Sequence, residues 1–133
     1  MSGQSIGIQA TRLEDVIGAV KRGLPVSSLH KLCKHMGVPE NRLAITVNIA
    51  QRTLTRRKQE GRFRPDESER VLRIARLFER AVEVMGSEQG AQQWFQSPVR
   101  GLGGKTPLEF ADTEPGAQEV AAMLDRIEDG VFY

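Results

Sequence analysis

A run of basic, amide and hydroxyl side chains between residues 51 and 62 carries the densest binding chemistry in the sequence. If this run is helical, Leu54 points to one side and four polar residues, Arg52, Thr55, Arg56 and Gln59, lie together on the opposite side. Arginine can bridge guanine O6 and N7, glutamine can bridge adenine, and threonine can contact the thymine methyl group. Neighbouring basic residues would neutralise phosphates. The predicted DNA contacts are Gln51, Arg52, Thr55, Arg56, Arg57, Lys58, Gln59 and Arg62, with Arg64 as a further phosphate contact.

The segment before this run predicts how it is positioned. Residues 40–47 have the pattern of a short helix, and a brief turn at Asn48 and Ile49 leads into the helix 51–60, which Gly61 ends. A short helix, a tight turn and a second helix with a buried leucine and a polar outer face are typical of a helix-turn-helix. Ala50 lies near the cap position of the second helix, where serine or threonine serves better, and Asn48 is the alternative cap. The competing interpretation is a solvated basic face on an ordinary helical bundle.

The distribution of charge also favours a polyanionic partner. Residues 1–64 contain twelve Lys and Arg against four Asp and Glu, whereas residues 65–133 contain seven against thirteen. A basic half indicates nucleic acid, and an acidic half indicates either solubility or a basic protein partner.

The same sequence argues against a membrane protein and a secreted one. No apolar stretch approaches the roughly 20 residues that span a bilayer, and residues 1–10 lack the pattern of a secretory signal. The single cysteine, Cys33, cannot form an internal disulfide, which favours a reducing compartment. We therefore expect a cytoplasmic protein.

Few residues suggest catalysis. His30 and His35 are five apart on one predicted helix and point in different directions, so a metal site is not expected. Cys33 falls on an apolar stripe and is interpreted as a core residue without a neighbouring base. Trp94 and Phe95 are interpreted as a plug between domains. The sequence predicts no enzyme, catalytic residue, metal or cofactor.

Helical periodicity runs through nearly the whole chain, which predicts an all-α fold. Three parts are expected: a helix-turn-helix DNA-binding bundle over 1–64, a connecting helix over 65–85, and a small helical domain over 86–133. The wide apolar surface of the helix 65–85 is a candidate dimer contact. The other predicted helices include one near 13–22, one near 29–36, one from Ser87 to Phe95, a brief one after Thr106-Pro107 and a last one over about 115–129.

Two helix starts have the spacing of a capping box, in which side chains and backbone N–H groups pair reciprocally. Thr11 and Glu14 stand at the start of the apolar stripe Leu13, Val16, Ile17 and Val20, and Asp66 and Glu69 stand at the start of the long helix.

Two stretches together resemble a known family. One is Arg52-Thr-Leu-Thr-Arg-Arg57 with Gly61 and Pro65-Asp-Glu-Ser-Glu-Arg-Val-Leu-Arg-Ile-Ala-Arg76. The other is Gly103-Gly-Lys-Thr-Pro-Leu108, then Thr113, Gly116, Val120, Leu124 and Arg126-Ile-Glu-Asp-Gly-Val-Phe132. In this order they resemble the MbcA/ParS/Xre antitoxins over roughly residues 10–133, although residues 97–102 depart from the Asn-rich pattern of that family.

The resemblance implies an antitoxin of a type II toxin–antitoxin pair. Its N-terminal region would bind the operon promoter, and its C-terminal domain would bind a RES-domain toxin, which resembles ADP-ribosyltransferases and acts on NAD⁺. The expected toxin-binding residues are Leu102, Gly103, Lys105, Thr106, Glu128, Val131, Phe132 and Tyr133. Two alternatives stay open: a stand-alone dimeric transcriptional regulator, and a protein-binding module with an inert basic face.

The residues at 131–133 and the symmetry of operators give two further hypotheses. Val131, Phe132 and Tyr133 are apolar where polar residues are usual, so we expect them to be buried, either on their own core or in the nucleotide cleft of the toxin. Specific DNA binding implies a homodimer, because a two-fold operator needs two recognition helices about 34 Å apart.

Overall fold

The computed structural model describes residues 4–7 and 12–130, and within these ranges the chain is helical without strands, which confirms the all-α prediction. Short 3₁₀ turns lie at Gln4–Ile6 and Arg100–Leu102. The α-helices are α1 (Leu13–Arg22), α2 (Ser27–Met36), α3 (Glu40–Thr46), α4 (Gln51–Glu60), α5 (Pro65–Met85), α6 (Glu88–Phe95), α7 (Pro107–Phe110) and α8 (Glu114–Glu128).

The chain forms two compact units, one up to residue 76 and one from residue 77 onward. The boundary falls inside α5, so the helix that the sequence analysis set apart as a connector is divided between the units. Among the described residues, no helix combines the length and the apolar character needed to cross a membrane.

The core of the first unit forms around α2, whose apolar positions recur with helical spacing. Leu29, Leu32, Cys33 and Met36 are all buried, and Gly37 ends the helix in a left-handed conformation. Around them lie buried side chains from α3, α4 and the loops, among them Leu43, Val47, Ile49, Leu54 and Phe63.

Two loops of the first unit, residues 23–26 and 61–64, are joined by hydrogen bonds, and we call this pairing the clasp. Phe63 N–H donates to the carbonyl of Leu24 (2.9 Å), and Val26 N–H donates to that of Gly61 (3.1 Å). A Cβ at Gly23 would lie 2.2 Å from the carbonyl oxygen of Phe63, so only glycine fits there. The clasp therefore fixes both ends of the α4–α5 junction against the start of α2.

The second unit packs around aromatic and aliphatic side chains. The ring of Phe95 lies 6.0 Å from that of Phe78 and 5.4 Å from that of Trp94, edge to face in the second case. Leu108, Val120 and Leu124 complete a buried cluster. Phe95 thus lies in the core of one unit with the half-buried Trp94 against it, where the sequence analysis expected a plug between domains.

The predicted capping box at α5 differs from the structure, and the one at α1 includes a residue outside the described ranges. Thr11 lies outside the described residues, and α1 begins after Arg12 without a side-chain cap. Its predicted stripe is only partly buried, since Val16 is enclosed but Leu13 is 65% exposed and Ile17 is 44% exposed. At the start of α5 it is Glu67, not Glu69, whose carboxylate reaches back, to the N–H of Arg64 (2.8 Å).

We predict that Ser68→Ala destabilises the first unit, because the buried Ser68 hydroxyl accepts the N–H of Leu24 at 2.8 Å. Leaving that buried donor unpaired should lower the free energy of unfolding by about 1–3 kcal/mol in urea denaturation. Ser27→Ala, an exposed serine in α2, is the control and should change it by less than about 0.5 kcal/mol. Equal effects for the two variants would contradict the role given to Ser68.

Candidate functional site

Helix α4 stands at the end of a helix-turn-helix unit. Helix α3 is followed by a turn in which Asn48 has φ of 56°, a left-handed conformation that few non-glycine residues adopt. Ala50 is the N-cap of α4 and makes no side-chain cap, and Gly61 ends the helix in a left-handed conformation. The ten-residue helix α4 follows this turn. The residues on its inner face set its orientation.

The outer face of α4 is polar and open. Gln51 and the four predicted base-contacting residues, Arg52, Thr55, Arg56 and Gln59, are exposed, whereas Leu54 is buried. Within the described residues, no hydrogen bond or ion pair engages the guanidinium groups of Arg52 and Arg56. We call the five exposed residues the outer face; it offers donors and acceptors of the kinds that distinguish base pairs.

Arg57, which the sequence analysis expected beside a DNA groove, lies on the inner face of α4. Its side chain is 9% exposed and forms a bidentate pair with Glu67, with Nε to Oε1 at 2.7 Å and Nη2 to Oε2 at 3.0 Å. Its Nη1 also donates to Glu60 at 3.2 Å. All three nitrogens of the Arg57 guanidinium donate to carboxylates within the protein.

The electrostatics of this pair are mutually stabilising. Burial raises the pKa of Glu67, but hydrogen bonds from Arg57 and from the N–H of Arg64 outweigh it, and the pKa lies below its ordinary value. The hydrogen bond to Glu67 raises the pKa of Arg57. Both groups are therefore charged at neutral pH.

The other predicted phosphate contacts remain at the surface, but two are already engaged. Lys58 Nζ lies 2.6 Å from Glu40 Oε1, in an exposed ion pair between α4 and α3. Arg62 Nη1 donates to the carbonyl of Gly23 at 2.7 Å, in the clasp. Arg64 is exposed.

The residues considered for catalysis or metal binding differ in exposure. His30 and His35 are exposed, and Cys33 is buried. Burial, with a smaller contribution from Glu40, raises the pKa of the Cys33 thiol to about 11, so it stays protonated at neutral pH. The described residues contain no group of His, Cys, Asp or Glu side chains that could hold a metal ion.

In the second unit, residues 99–105 form a compact loop closed by its own backbone. Val99 N–H donates to the carbonyl of Lys105 (3.0 Å), and Gly104 N–H donates to that of Val99 (3.1 Å). Gly103 and Gly104 have φ of 67° and 81°, and a Cβ added at either would meet nothing within 4 Å. Leu102 is buried under the loop, while Gly103 and Lys105 are exposed.

The residues of the second motif that follow this loop are explained by helix geometry. Thr106 and Glu109 form a capping box at α7, with Pro107 in the first turn. Thr113 accepts the N–H of Gly116 at the start of α8 (3.1 Å). Of the predicted toxin-binding residues, Leu102 and Thr106 therefore use their side chains inside the domain.

Glu128 is exposed at the end of α8 and is held by Arg80. Arg80 Nη2 lies 2.6 Å from Glu128 and 3.0 Å from Asp125. The hydrogen bond from Arg80 lowers the pKa of Glu128, so the carboxylate is charged at neutral pH. Val131, Phe132 and Tyr133 lie outside the described residues.

A helix-turn-helix unit with an open polar recognition face, joined to a second helical unit, defines a DNA-binding regulatory class of protein. Comparison with known families agrees: residues 15–76 match the antitoxin Xre-like helix-turn-helix domain, and residues 80–130 match the antitoxin Xre/MbcA/ParS C-terminal toxin-binding domain. The chain belongs to the Xre antitoxin family, whose members are regulatory proteins and not enzymes.

Similar proteins cover nearly the whole chain. An antitoxin Xre from Yersinia enterocolitica is 35% identical over 97% of this chain and 88% of its own length. An antitoxin Xre from Photorhabdus laumondii is 32% identical over 96% and 88%. A protein named Prs ADP-ribosylating antitoxin, from a Sphingobium species, is 28% identical over 89% and 80%.

Sequence reasoning missed the partner of Arg57, although a signal was present. Arg57 follows Leu54 by three residues, so the two lie on the same face of α4, and a residue at that place must be buried or paired. Glu67 showed no comparable signal, because its pairing joins two helices across a loop.

We predict that Glu67 makes the first unit sensitive to acid. A carboxylate whose pKa is lowered in the folded state contributes stability that is complete above its unfolded pKa, about 4.3, and is lost as pH falls through the folded-state pKa. The free energy of unfolding should fall below about pH 4.3 in the native chain, and Glu67→Gln should flatten that fall. Exposed Glu69→Gln is the control, and an unchanged pH profile in Glu67→Gln would contradict the prediction.

Proposed function

We propose that this chain neutralises a RES-domain toxin that degrades NAD⁺ and binds the promoter of its own operon as an autoregulator. The observation that carries the proposal is the exposed outer face of α4, in a chain whose second unit matches a toxin-binding domain. The relative named as ADP-ribosylating antitoxin fits a toxin with NAD⁺ chemistry. Both proposed partners are cytoplasmic, and so would be the chain.

On DNA, the outer face of α4 reads base edges in the major groove, and basic residues around it contact phosphates. Arg52 and Arg56 pair with guanine, and Gln51 and Gln59 with adenine. With Arg57 inside the protein, the phosphate contacts are Lys58, Arg62 and Arg64. Lys58 must then leave Glu40 to reach a phosphate, and the loss of that ion pair reduces the net contribution of Lys58 to DNA affinity.

Operator binding proceeds as a homodimer, so that two copies of α4 enter successive turns of the groove. The contact lies in the first unit and uses the exposed apolar side chains of α1, Leu13 and Ile17. This replaces the surface of α5 as the favoured contact, because Leu72 and Leu77 are buried in the single chain.

The toxin contact uses the second unit. Gly103 and Lys105 offer the exposed tip of the loop, and Glu128 offers a charged group at the end of α8. Residues 77–133 contain four Lys and Arg against ten Asp and Glu, which suits a basic cleft. Val131, Phe132 and Tyr133 enter the nucleotide cleft of the toxin, where the ring of Tyr133 stacks in place of a base.

We expect Arg56→Ala to weaken binding to the DNA upstream of the coding region by about 1–3 kcal/mol, because a bidentate base contact is lost. Arg52→Ala should behave alike, and both variants should neutralise the toxin normally. Arg100→Ala, an exposed arginine of the second unit, is the control for loss of charge. Titrations that detect no loss in either α4 variant would remove this helix from the interface.

Deletion of residues 131–133 should abolish rescue of growth when the chain is expressed with the adjacent gene product. DNA binding and the melting temperature should stay nearly unchanged, because the deleted residues would bind in the nucleotide cleft of the toxin and not to DNA or to their own core. Full rescue by the shortened chain would refute the plug, and a large fall in melting temperature would instead assign these residues to the core of their own domain.

A further inference from the structure

We propose that the Arg57–Glu67 pair is a positioning device, which sets the rotation of α4 about its own axis and thereby the base specificity of the outer face. The inference rests on the proposed role of α4 in DNA binding. In this proposal Arg57 positions the helix and does not contact phosphate. Glu67 takes part in recognition through Arg57, although Glu67 is not on the outer face.

The argument begins with what holds the inner face of α4. The buried residues of this helix are Leu54 and Arg57, one turn apart. Apolar contact is non-directional, so Leu54 keeps the helix on the core but allows it to roll. A bidentate guanidinium–carboxylate pair is directional, because two parallel hydrogen bonds fix the plane of the fork.

The acceptor of this pair is itself immobilised. Glu67 Oε1 accepts the N–H of Arg64 at 2.8 Å as well as Nε of Arg57 at 2.7 Å, so the carboxylate is fixed to the first turn of α5. The adjoining Ser68 holds α5 to the clasp through Leu24 N–H at 2.8 Å. Arg57 therefore ties the inner face of α4 to the first turn of α5, in addition to the clasp that follows the end of α4.

Rotation matters because the residues of the outer face share the helix with Arg57. Arg56 is its immediate neighbour, and Arg52 lies five residues before it. A roll of α4 moves both side chains sideways along the base edges, where hydrogen bonds weaken steeply with angle. Contacts to phosphates, which depend on charge more than on direction, would be little affected.

Arg57→Lys tests the proposal, because lysine keeps the charge and loses the fork. Affinity is measured over a salt series for the DNA upstream of the coding region and for a scrambled duplex of equal composition, at a temperature where circular dichroism shows a folded protein. We expect the ratio of the two affinities to fall roughly tenfold or more, with the salt slope and the affinity for scrambled DNA unchanged. Arg76→Lys, at an exposed position of α5 outside the proposed interface, is the matched control and should keep the ratio.

Glu67→Gln provides a second variant if the lysine variant does not fold, since its amide oxygen can still accept the N–H of Arg64. Loss of the negative charge should leave affinity for scrambled DNA equal or higher, while the ratio again falls roughly tenfold. A ratio that stays constant in either folded variant overturns the proposal. Equal loss of affinity on both duplexes in Arg57→Lys also overturns it, because the contribution of Arg57 would then be independent of base sequence.

A double-mutant comparison separates positioning from general weakening. If Arg57 acts through Arg56, then Arg56→Ala should reduce operator affinity less in the Arg57→Lys background than in the native chain. Additive losses would contradict coupling. If instead neither Arg52→Ala nor Arg56→Ala affects binding in the native background, the proposed role of α4 fails, and that failure is distinct from loss of the coupling.

Discussion

The carboxylate of Glu67 accepts hydrogen bonds from two elements at once, and the geometry of the first unit depends on it. It satisfies an N–H at the start of α5 and receives the guanidinium of Arg57 from α4. Neither charge would be tolerated in this enclosed place alone, since an unpaired buried ion is strongly unfavourable. Arg57 and Glu67 therefore each require the other at the junction between α4 and α5.

The arginines of α4 have two opposite roles. Arg52 and Arg56 face outward and stay available to a ligand, whereas Arg57 faces inward and is used by the fold. The difference arises from helical phase alone. A count of basic residues along such a helix overstates the charge that it presents to DNA.

Much of the fold could be predicted from sequence because local signals coincide with element ends. The bounds of α4 and α5, the glycines that end α2 and α4, the serine cap of α6 and the threonine cap of α7 follow from local chemistry. At the start of α5 the cap was mistaken: Glu67 caps the helix while it pairs with Arg57 of α4, and Asp66 pairs with Arg70 one turn further along α5.

The candidate sites were less predictable, because exposure is a property of the whole unit. Leu13 and Ile17 have the spacing of core residues but stay open, since α1 buries only Val16. Leu102 and Thr106 were predicted to bind the toxin, yet one fills the core and the other caps a helix. A motif identifies a family; it does not separate the residues that build a surface from those that touch a partner.

Gly103 and Gly104, in the loop 99–105, determine which mirror form of an amino acid fits the backbone of that loop. Both have positive φ, yet open space surrounds the position of an added Cβ at each. Glycine is therefore needed in this loop for its left-handed backbone and not for lack of space. An L-alanine there would be strained by its own backbone preference alone. A D-alanine introduced at residue 104 by chemical synthesis would match the backbone and restrict the unfolded chain, so the mirror-image amino acid should stabilise a loop that its natural counterpart disturbs.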